Sequence, residues 1–249
     1  MKLGKKPARP GAVKLRLNDY VDLSKLPVPP ANFGHTDMVR QPWGLLGNDR
    51  YGDCYWAGSC HEHMLWGAMG GHKFTFTTNN ALYAYSLATG FNKADPNTDQ
   101  GTDMQQGAAY RQKTGIVDSA GRVHKVGPYL ALEKGNLQQQ LTAAYIFGAV
   151  GLGIEIPASA QEQFEKHEPW DIVPHSPIEG GHYVPLVSHK DGNAVVCTWG
   201  ALQEMTPQFF EALNDESIVY LSPEILLGGK TIEGFDLQAL QKDLAALSR

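Results

Sequence analysis

The spacing of apolar residues changes near residue 136, and this change constrains the fold of the chain more than any other feature. Upstream, helical spacing begins at Cys54, and residues 82–87 and 104–113 show it again. After a further helical stretch at 136–145, four β-rich segments are bounded by Gly, Asn and Asp: AVGLGIEI, HYVPLVSHK, NAVVCTWG and SIVYLS. The sequence Lys-Asp-Gly-Asn between the second and third segments predicts a hairpin. A helical half followed by a strand-rich half predicts an α+β protein with two lobes.

The pattern also predicts three regions along the chain. Residues 1–30 form a basic, Pro-rich N-terminal arm that cannot be helical where its prolines cluster. Residues 31–225 form the two-lobed domain, with a helical lobe at about 44–135 and a β-rich lobe at about 136–225. Residues 226–249 form an amphipathic helix, which docks on the body or, alternatively, makes a dimer. The sequence leaves the oligomeric state open.

The N-terminal arm is strongly basic, whereas the rest of the chain is acidic. No acid precedes Asp19, and six bases do: Lys2, Lys5, Lys6, Arg9, Lys14 and Arg16. The chain has 21 bases and 26 acids, so the remainder without those six carries a charge of −11. We expect the arm to be a solvated tail that folds back on an acidic body, with binding to an anionic partner as the alternative. The net charge of −5 argues against nucleic acid as the main partner.

The cysteine count and the apolar runs indicate the compartment. Three cysteines, Cys54, Cys60 and Cys197, are too few and odd in number for a disulfide framework. The first residues lack the apolar core of a signal peptide. The longest apolar run, 143–154, is about a dozen residues, well short of the ~20 that cross a bilayer. We therefore expect a cytoplasmic protein that does not enter a membrane, with a virion location left open.

Cys54 is the residue whose position most clearly indicates chemical reactivity. A Gly- and Asp-rich loop, 44–53, runs into it, and Asp53 is a suitable helix cap. Cys54 then lies in the first helical turn, where free N–H groups and the helix dipole lower a thiol pKa. His182, after two glycines at the start of a strand, is the candidate acid and base. The Asn48 amide and the Cys54 N–H are candidates for an oxyanion hole.

These residues make the chain resemble the papain-like cysteine peptidases. The run Tyr-Gly-Asp-Cys-Tyr at 51–55 keeps the glycine, nucleophile and aromatic of the family signature C-G-[SA]-C-[WY]. Asn48 stands where the family has its oxyanion glutamine. Segments 101–116, 181–184 and 198–200 are similar to later family segments, and the order is collinear over about residues 20–225. The resemblance implies a papain-like α+β fold, with Cys54 as nucleophile, His182 as its partner and Trp199 packing at the cleft.

The sequence departs from the family in three places. The asparagine that orients the family's histidine falls on Cys197, so the third role is open to Cys197 or to Thr198. Asp53 places a carboxylate beside the nucleophile, which raises a thiol pKa. Tyr51 replaces a cysteine of the family's usual disulfide, and no secretory or pro-peptide segment is recognisable.

The leading hypothesis is a thiol hydrolase, a peptidase or amidase, that acts on a peptide or protein without a cofactor. One alternative is a catalytically retired scaffold with a binding or assembly role, for example in a phage or prophage. Another is an acyltransferase of the transglutaminase type. An open groove at Cys54 favours catalysis, whereas a groove filled by the N-terminal arm, Trp43 or Trp66 favours retirement.

No metal site is predicted. His61 and His63 flank Glu62, but histidines at i and i+2 of a helix point apart, unlike the i and i+4 pair of zinc proteases. Cys60 is expected to be a packing residue.

Overall fold

A computed structural model describes residues 1–20 and 26–234 of the chain. Within this part, the α-helices are α1 Cys54–Met69, α2 Thr78–Thr89, α3 Met104–Lys113, α4 Leu137–Phe147, α5 Ala158–Glu165 and α6 Pro207–Leu213. The strands are β1 Phe33–Gly34, β2 Ile116–Val117, β3 Val123–His124, β4 Tyr129–Ala131, β5 Val150–Pro157, β6 Ile178–Lys190, β7 Asn193–Thr198, β8 Ala201–Met205 and β9 Asn214–Tyr220.

The strands of the second half form one antiparallel sheet. Its order in the described part is β4-β9-β5-β6-β7-β8, with β1 added to β6, and β2 and β3 form a separate pair. The long strand β6 pairs with β5 along its first part and with β7 along its second. The β6–β7 hairpin turns through Asp191 and Gly192, whose φ angles of 51° and 90° are both positive, as an Asp-Gly turn requires. The predicted α+β fold is confirmed.

Helix α1 lies against the sheet, which places Cys54 beside the start of β6. The contact requires a glycine, because a Cβ on Gly58 would lie 2.7 Å from Tyr183 Cδ1 and 3.1 Å from Pro185 Cδ. Almost every residue of α1 is buried, so packing on several sides, rather than one apolar stripe, stabilises the helix.

A buried ion pair joins the helices to the sheet. The Arg111 guanidinium of α3 donates to Glu62 of α1 at 2.7 Å, and both side chains are fully buried. The Tyr183 hydroxyl of β6 donates to the other Glu62 oxygen at 2.9 Å. The guanidinium carbon of Arg111 also lies 4.2 Å from the ring centroid of Tyr220 in β9. These contacts connect four elements through one polar cluster.

The ends of the chain differ in part from the sequence-based expectations. Residues 226–234 form turns around a bridge between Leu227 and Lys230, so the predicted helix does not begin at 226. The leucine stripe of that helix lies at 235–249, outside the described residues. The Pro-rich segment runs over the surface and ends in β1, which pairs with β6. The lobe boundaries remain a prediction. Among the described residues, no helix combines the length and the apolar character that spanning a membrane requires.

Candidate active site

Cys54 begins α1 and is almost completely buried, with 1% of its surface exposed. Its Sγ accepts a hydrogen bond from the Tyr183 N–H at 3.4 Å. Burial raises the pKa of the thiol to about 12, although the N–H groups of Tyr183 and Gly4 and the charge of Lys5 act to lower it. In this closed arrangement the thiol is therefore protonated at neutral pH.

His182 precedes Tyr183 in β6, so its backbone adjoins the thiol. Its Nε2 lies 2.7 Å from Thr198 Oγ1, and its Nδ1 has no hydrogen-bond partner among the described residues. Burial lowers the pKa of His182 to about 3, which keeps the imidazole neutral. A neutral imidazole whose Nε2–H donates to Thr198 leaves the Nδ1 lone pair available to accept a proton.

Thr198, rather than Cys197, contacts the histidine. The two residues are consecutive in β7, and successive side chains of a strand point to opposite faces of the sheet. Because Thr198 faces His182, Cys197 faces away, and burial raises its pKa. Of the two sequence candidates for the third role, Thr198 contacts His182, and Cys197 lies buried in the core.

Trp199 covers His182 from the turn between β7 and β8. The two rings are stacked, with centroids 4.7 Å apart and an interplanar angle of 26°. Trp199 and Gly200 form the turn, with positive φ angles of 45° and 77°. A non-glycine residue in this region costs about 1–3 kcal/mol, so the strained turn fixes the indole over the imidazole at an energetic cost. This is the cleft packing that the resemblance implies.

Asn48 lies in the loop before α1, with 3% of its surface exposed. Its Nδ2 donates to two backbone carbonyl oxygens, those of Lys2 and Tyr51, both at 3.1 Å. The backbone oxygen of Asn48 in turn accepts from the Lys2 N–H at 3.1 Å. The side-chain amide predicted to bind an oxyanion is therefore engaged with a peptide carbonyl of the N-terminal arm.

Asp53 occupies the N-cap position of α1, but its side chain does not cap the helix as the sequence predicts. It is fully buried, and neither carboxyl oxygen has a hydrogen-bond partner of good geometry among the described residues. Burial raises the pKa of Asp53 well above its usual range. This favours the uncharged acid, whereas the charged form of Asp53 raises the pKa of the neighbouring Cys54 thiol, as the sequence predicts.

The first six residues of the arm, which we call the plug, fill the groove beside Cys54. On one wall, the N–H groups of Gly4 and Lys5 donate to Gly181 O at 3.2 and 2.9 Å. On the other, Lys6 N–H donates to Thr102 O at 3.0 Å, and Thr102 N–H donates to Gly4 O at 2.7 Å. The plug thus pairs antiparallel with Gly181 and parallel with Thr102.

Glycines allow the plug to approach this closely. A Cβ on Gly4 would lie 2.0 Å from Gly52 O, and one on Gly101 would lie 2.1 Å from Gly4 O. Neither contact is compatible with a side chain, and the opposing atoms belong to the backbone. Only glycine at these positions lets the arm pass directly over the N-terminus of α1.

The part of the arm between Lys5 and Leu15 is held at several points and is not a solvated tail. The Lys5 side chain is fully buried, and its Nζ lies 2.6 Å from Asp215 Oδ2. Arg9 forms a two-bond ion pair with Asp103 at 2.5 and 2.7 Å. Leu15 O accepts from the Ala131 N–H at 2.8 Å. The prediction that the basic arm folds back on the acidic body is correct. The prediction that the arm is solvated is wrong at Lys5, whose side chain is buried.

The tryptophans named as alternative obstructions lie elsewhere. The Trp66 Nε1–H donates to Phe147 O at 3.0 Å within the core. Trp43 packs edge-on against His61, with ring centroids 5.7 Å apart. A cavity of about 390 Å³ lies between the arm and the start of β9, and neither Cys54 nor His182 lines it. The groove at the thiol is filled by the plug.

One cluster contains atoms of the kind that bind metals. His63 Nδ1 and His124 Nδ1 each lie 2.6 Å from a different oxygen of Glu224, and the three ligand-type atoms lie within 4.8 Å of one another. The hydrogen bonds satisfy these atoms without an ion. His61 instead contacts the Trp43 and Gly44 carbonyls, so His61 and His63 do point apart. The sequence pattern gave no signal for the cluster, because its members are far apart along the chain.

The sequence and the structure give different results when compared with known proteins. No protein-family model matches the sequence. No curated protein has a significantly similar sequence. Solved structures do match, and all of those described below are cysteine proteases or a proenzyme of that class, at identities of 12–14%.

Three of the similar structures come from a bacterium, a plant and an insect. Xylellain, a cysteine protease from Xylella fastidiosa, has a TM-score of 0.61 and 12% identity, covering 88% of this chain and 96% of that one. A cysteine protease of Carica candamarcensis, in complex with E-64, has a TM-score of 0.57 and 13% identity, covering 78% and 99%. Procathepsin L 3 of Tenebrio molitor has a TM-score of 0.60 and 14% identity, covering 88% and 75%. The chain therefore has the papain-like α+β fold.

Proposed function

We propose that the chain is a thiol hydrolase, a peptidase or amidase, with Cys54 as nucleophile and His182 as acid and base. The observation that carries the proposal is the hydrogen bond from the Tyr183 N–H to Cys54 Sγ, which joins the thiol to the residue next to His182. Thr198 holds His182 Nε2, and His182 Nδ1 has no other described partner. A base oriented by a third group beside a thiol is the arrangement that nucleophilic catalysis uses.

The reaction follows from these positions. His182 Nδ1 takes the thiol proton, and the Cys54 thiolate attacks the carbonyl carbon of the scissile amide. The oxyanion accepts hydrogen bonds from Asn48 Nδ2 and the Cys54 N–H. The C–N bond breaks, the amine leaves with the proton from His182, and a thioester remains. Water then gives a proton to His182 and attacks the thioester, which releases the acid and regenerates the thiol.

The plug supports a peptide as the ligand of this groove. Four main-chain hydrogen bonds to Gly181 and Thr102 hold it, and the Asn48 amide already binds a peptide carbonyl, that of Lys2. Main-chain pairing of this kind is how extended peptides bind at a strand edge. We therefore propose peptide or protein substrates that compete with the plug.

The same plug favours the second candidate, a retired scaffold with a binding role. A thiol that is 1% exposed, with its pKa raised to about 12, does not react while the plug is in place. The two candidates differ in what happens after the plug leaves. We prefer the hydrolase because Thr198 holds His182 Nε2 and leaves Nδ1, the atom that would accept the thiol proton, without a partner among the described residues.

Hydrolysis by an opened variant tests the proposal. Gly4→Val expels the plug, because a side chain at this position collides with Gly52 O. We expect Gly4→Val to hydrolyse a fluorogenic peptide library, the unaltered chain to be slow, and Gly4→Val/Cys54→Ala to be inactive. An opened variant whose Cys54 is alkylated readily but which cleaves nothing would establish the retired scaffold. Transfer of the acyl group to added hydroxylamine in preference to water would identify an acyltransferase.

Replacing the histidine's partner gives a further prediction. In the Gly4→Val background, Thr198→Val removes the hydroxyl that fixes His182 Nε2 and retains the side-chain volume. We expect kcat to fall about tenfold or more, because the imidazole ring loses its fixed orientation. KM should change little, because the substrate keeps its contacts. Ser at position 198 should restore most of the rate. Equal activity in the Val and Ser variants would show that Thr198 has no positioning role.

A further inference from the structure

We propose that His63, His124 and Glu224 form a binding site for one Zn²⁺ ion, which joins three separate segments of the chain. His63 belongs to α1, His124 to β3, and Glu224 to a short 3₁₀ helix, Pro223–Ile225, that follows β9. The site lies on α1 nine residues beyond Cys54 and outside the groove that the plug fills. The inference goes beyond the proposed function, because it gives the ion a structural role that needs no catalysis.

The three side chains bring two imidazole nitrogens and a carboxylate to one place. His63 Nδ1 and His124 Nδ1 each lie 2.6 Å from a different oxygen of Glu224, and the ligand-type atoms of all three residues lie within 4.8 Å of one another. Nitrogen and oxygen ligands stand about 2.0–2.2 Å from Zn²⁺, which puts two ligand atoms about 3.3 Å apart in a tetrahedron. Small side-chain rotations therefore convert the metal-free, hydrogen-bonded cluster into a zinc site with three protein ligands.

A second carboxylate orients one of the histidines. Asp118 Oδ2 lies 3.2 Å from His124 Nε2, the ring nitrogen that does not face Glu224. Asp118 is itself held, because its oxygens accept from the N–H groups of Ala120 and Arg122, both at 2.9 Å, and from Arg122 Nε at 2.8 Å. A histidine that binds a metal through one nitrogen usually donates its other N–H to a carboxylate or carbonyl. With Nε2–H directed at Asp118, the Nδ1 lone pair of His124 is the one directed at the ion.

Aromatic rings enclose the site and limit the access of water. The His124 ring centroid lies 4.3 Å from that of Phe74 and 5.4 Å from that of Phe76. The side chain of His63 is fully buried, and that of His124 is 3% exposed. The Glu224 side chain is 15% exposed, so an ion enters from this side. A partly open position beside Glu224 leaves room for water as the fourth ligand.

Main-chain contacts hold the three segments together before any ion binds. A Cβ on Gly70, just after α1, would lie 2.0 Å from Glu224 O, so only glycine lets the 3₁₀ helix approach this closely. The Glu224 N–H donates to Ser222 Oγ at 3.2 Å. The Gly127 N–H, which follows β3, donates to Leu221 O at 2.8 Å. The ligands are therefore positioned by the fold, and all three cysteines of the chain are free, so the ion supplies a cross-link that no disulfide provides.

Zinc titration of the full chain is the first test. The chain, stripped with EDTA and then freed of EDTA, should bind one Zn²⁺ with a dissociation constant of about 1 μM or lower by isothermal titration calorimetry. His63→Gln and Glu224→Gln should each weaken binding at least about 100-fold. Asp118→Asn, which keeps the three ligands, should weaken it about tenfold to 100-fold, because it alters only the group that orients His124.

His72→Gln is the matched control, because His72 is exposed and lies outside the cluster. This variant should bind Zn²⁺ like the unaltered chain. Failure of the unaltered chain to bind one Zn²⁺ at about 100 μM would overturn the proposal. Equal affinities of His63→Gln and His72→Gln would overturn it as well.

Thermal unfolding provides a second measurement. About 100 μM Zn²⁺ should raise the Tm of the stripped chain by at least about 5 °C, because an ion that binds only the folded state stabilises it. Excess EDTA should reverse the shift, and His72→Gln should show the same gain. A Tm that Zn²⁺ leaves unchanged or lowers would contradict a structural site.

The cysteines are the competing zinc ligands of this chain, and Co²⁺ distinguishes them from the proposed site. Co²⁺ bound to the unaltered chain should show d–d absorption without the intense charge-transfer bands of a thiolate ligand. Cys54→Ala should bind Zn²⁺ as tightly as the unaltered chain. Thiolate bands, or loss of binding in Cys54→Ala, would overturn the proposal. Because these measurements need neither a histidine variant nor hydrolysis, they decide the matter even if His63→Gln does not fold.

Discussion

Gly4→Val is expected to raise the alkylation rate of Cys54 at pH 7 by about two to three orders of magnitude. In the closed chain, burial raises the pKa of this thiol to about 12, so very little of it is thiolate at pH 7. An accessible cysteine with a pKa of about 8.5 is a few per cent thiolate at that pH. Because the thiolate is the reactive form, expelling the plug increases the rate both through access and through ionisation.

The pH dependence of labelling distinguishes these contributions. In the unaltered chain, the rate should still be rising at pH 10, below the raised pKa of the thiol. In Gly4→Val, it should level off at a lower pH, set by the lower pKa of the exposed thiol. Ala12→Val is the matched control, since it enlarges an arm residue outside the groove and should label like the unaltered chain. Similar profiles in all three proteins would show that the plug does not control Cys54.

Glu62→Gln is expected to lower the free energy of unfolding by about 3–5 kcal/mol, the largest stability effect that we predict. Glu62 and Arg111 are both fully buried, and their contact at 2.7 Å joins α1 to α3. Glutamine keeps the shape but leaves the Arg111 charge without a counter-ion inside the core. The Tyr183 hydroxyl, which donates to Glu62, can still bond an amide oxygen. Urea unfolding followed by circular dichroism measures the loss.

Two further variants show whether charge is the cause. Glu62→Leu/Arg111→Met removes both charges and should recover a large part of the loss, because apolar residues can replace a buried ion pair. Glu211→Gln makes the same chemical change at an exposed position and should alter stability by less than about 0.5 kcal/mol. A loss below about 1 kcal/mol for Glu62→Gln would mean that the ion pair is not a main support of the fold.

Much of the fold is predictable because its elements carry local signals. Helix α3 begins and ends where the spacing predicts. The Asp103 side chain caps it by accepting a hydrogen bond from the Gln106 N–H at 2.8 Å. The Asp-Gly turn specifies the β6–β7 hairpin. In contrast, the pattern missed α5, α6 and β8, which are 8, 7 and 5 residues long. Such short elements depend on tertiary contacts that no local pattern records.

The sequence allowed prediction of the residues of the candidate site. It did not allow prediction that the plug fills the groove beside them. Spacing located Cys54 and His182 because a helix start and a strand start are local features. It left the third role open between Cys197 and Thr198, and only the alternation of β7 shows that Thr198 is the one turned toward the histidine. It also treated Lys5 as one base among six, because the acids that bind it are about 210 residues away. Long-range charge pairing and glycine-dependent close approach become visible only in three dimensions.

The attachment of the arm at Leu15 makes closure of the groove an intramolecular competition. Leu15 O accepts a hydrogen bond from the Ala131 N–H. When the plug leaves the groove, it therefore stays attached through only the short stretch of chain between the plug and Leu15. A short tether gives a released segment a local concentration on the order of millimolar. A peptide that binds the groove no better than the plug must then reach millimolar levels to displace it. Selectivity therefore operates as a threshold: dilute peptides leave the thiol covered, and only abundant or tightly bound ones reach it.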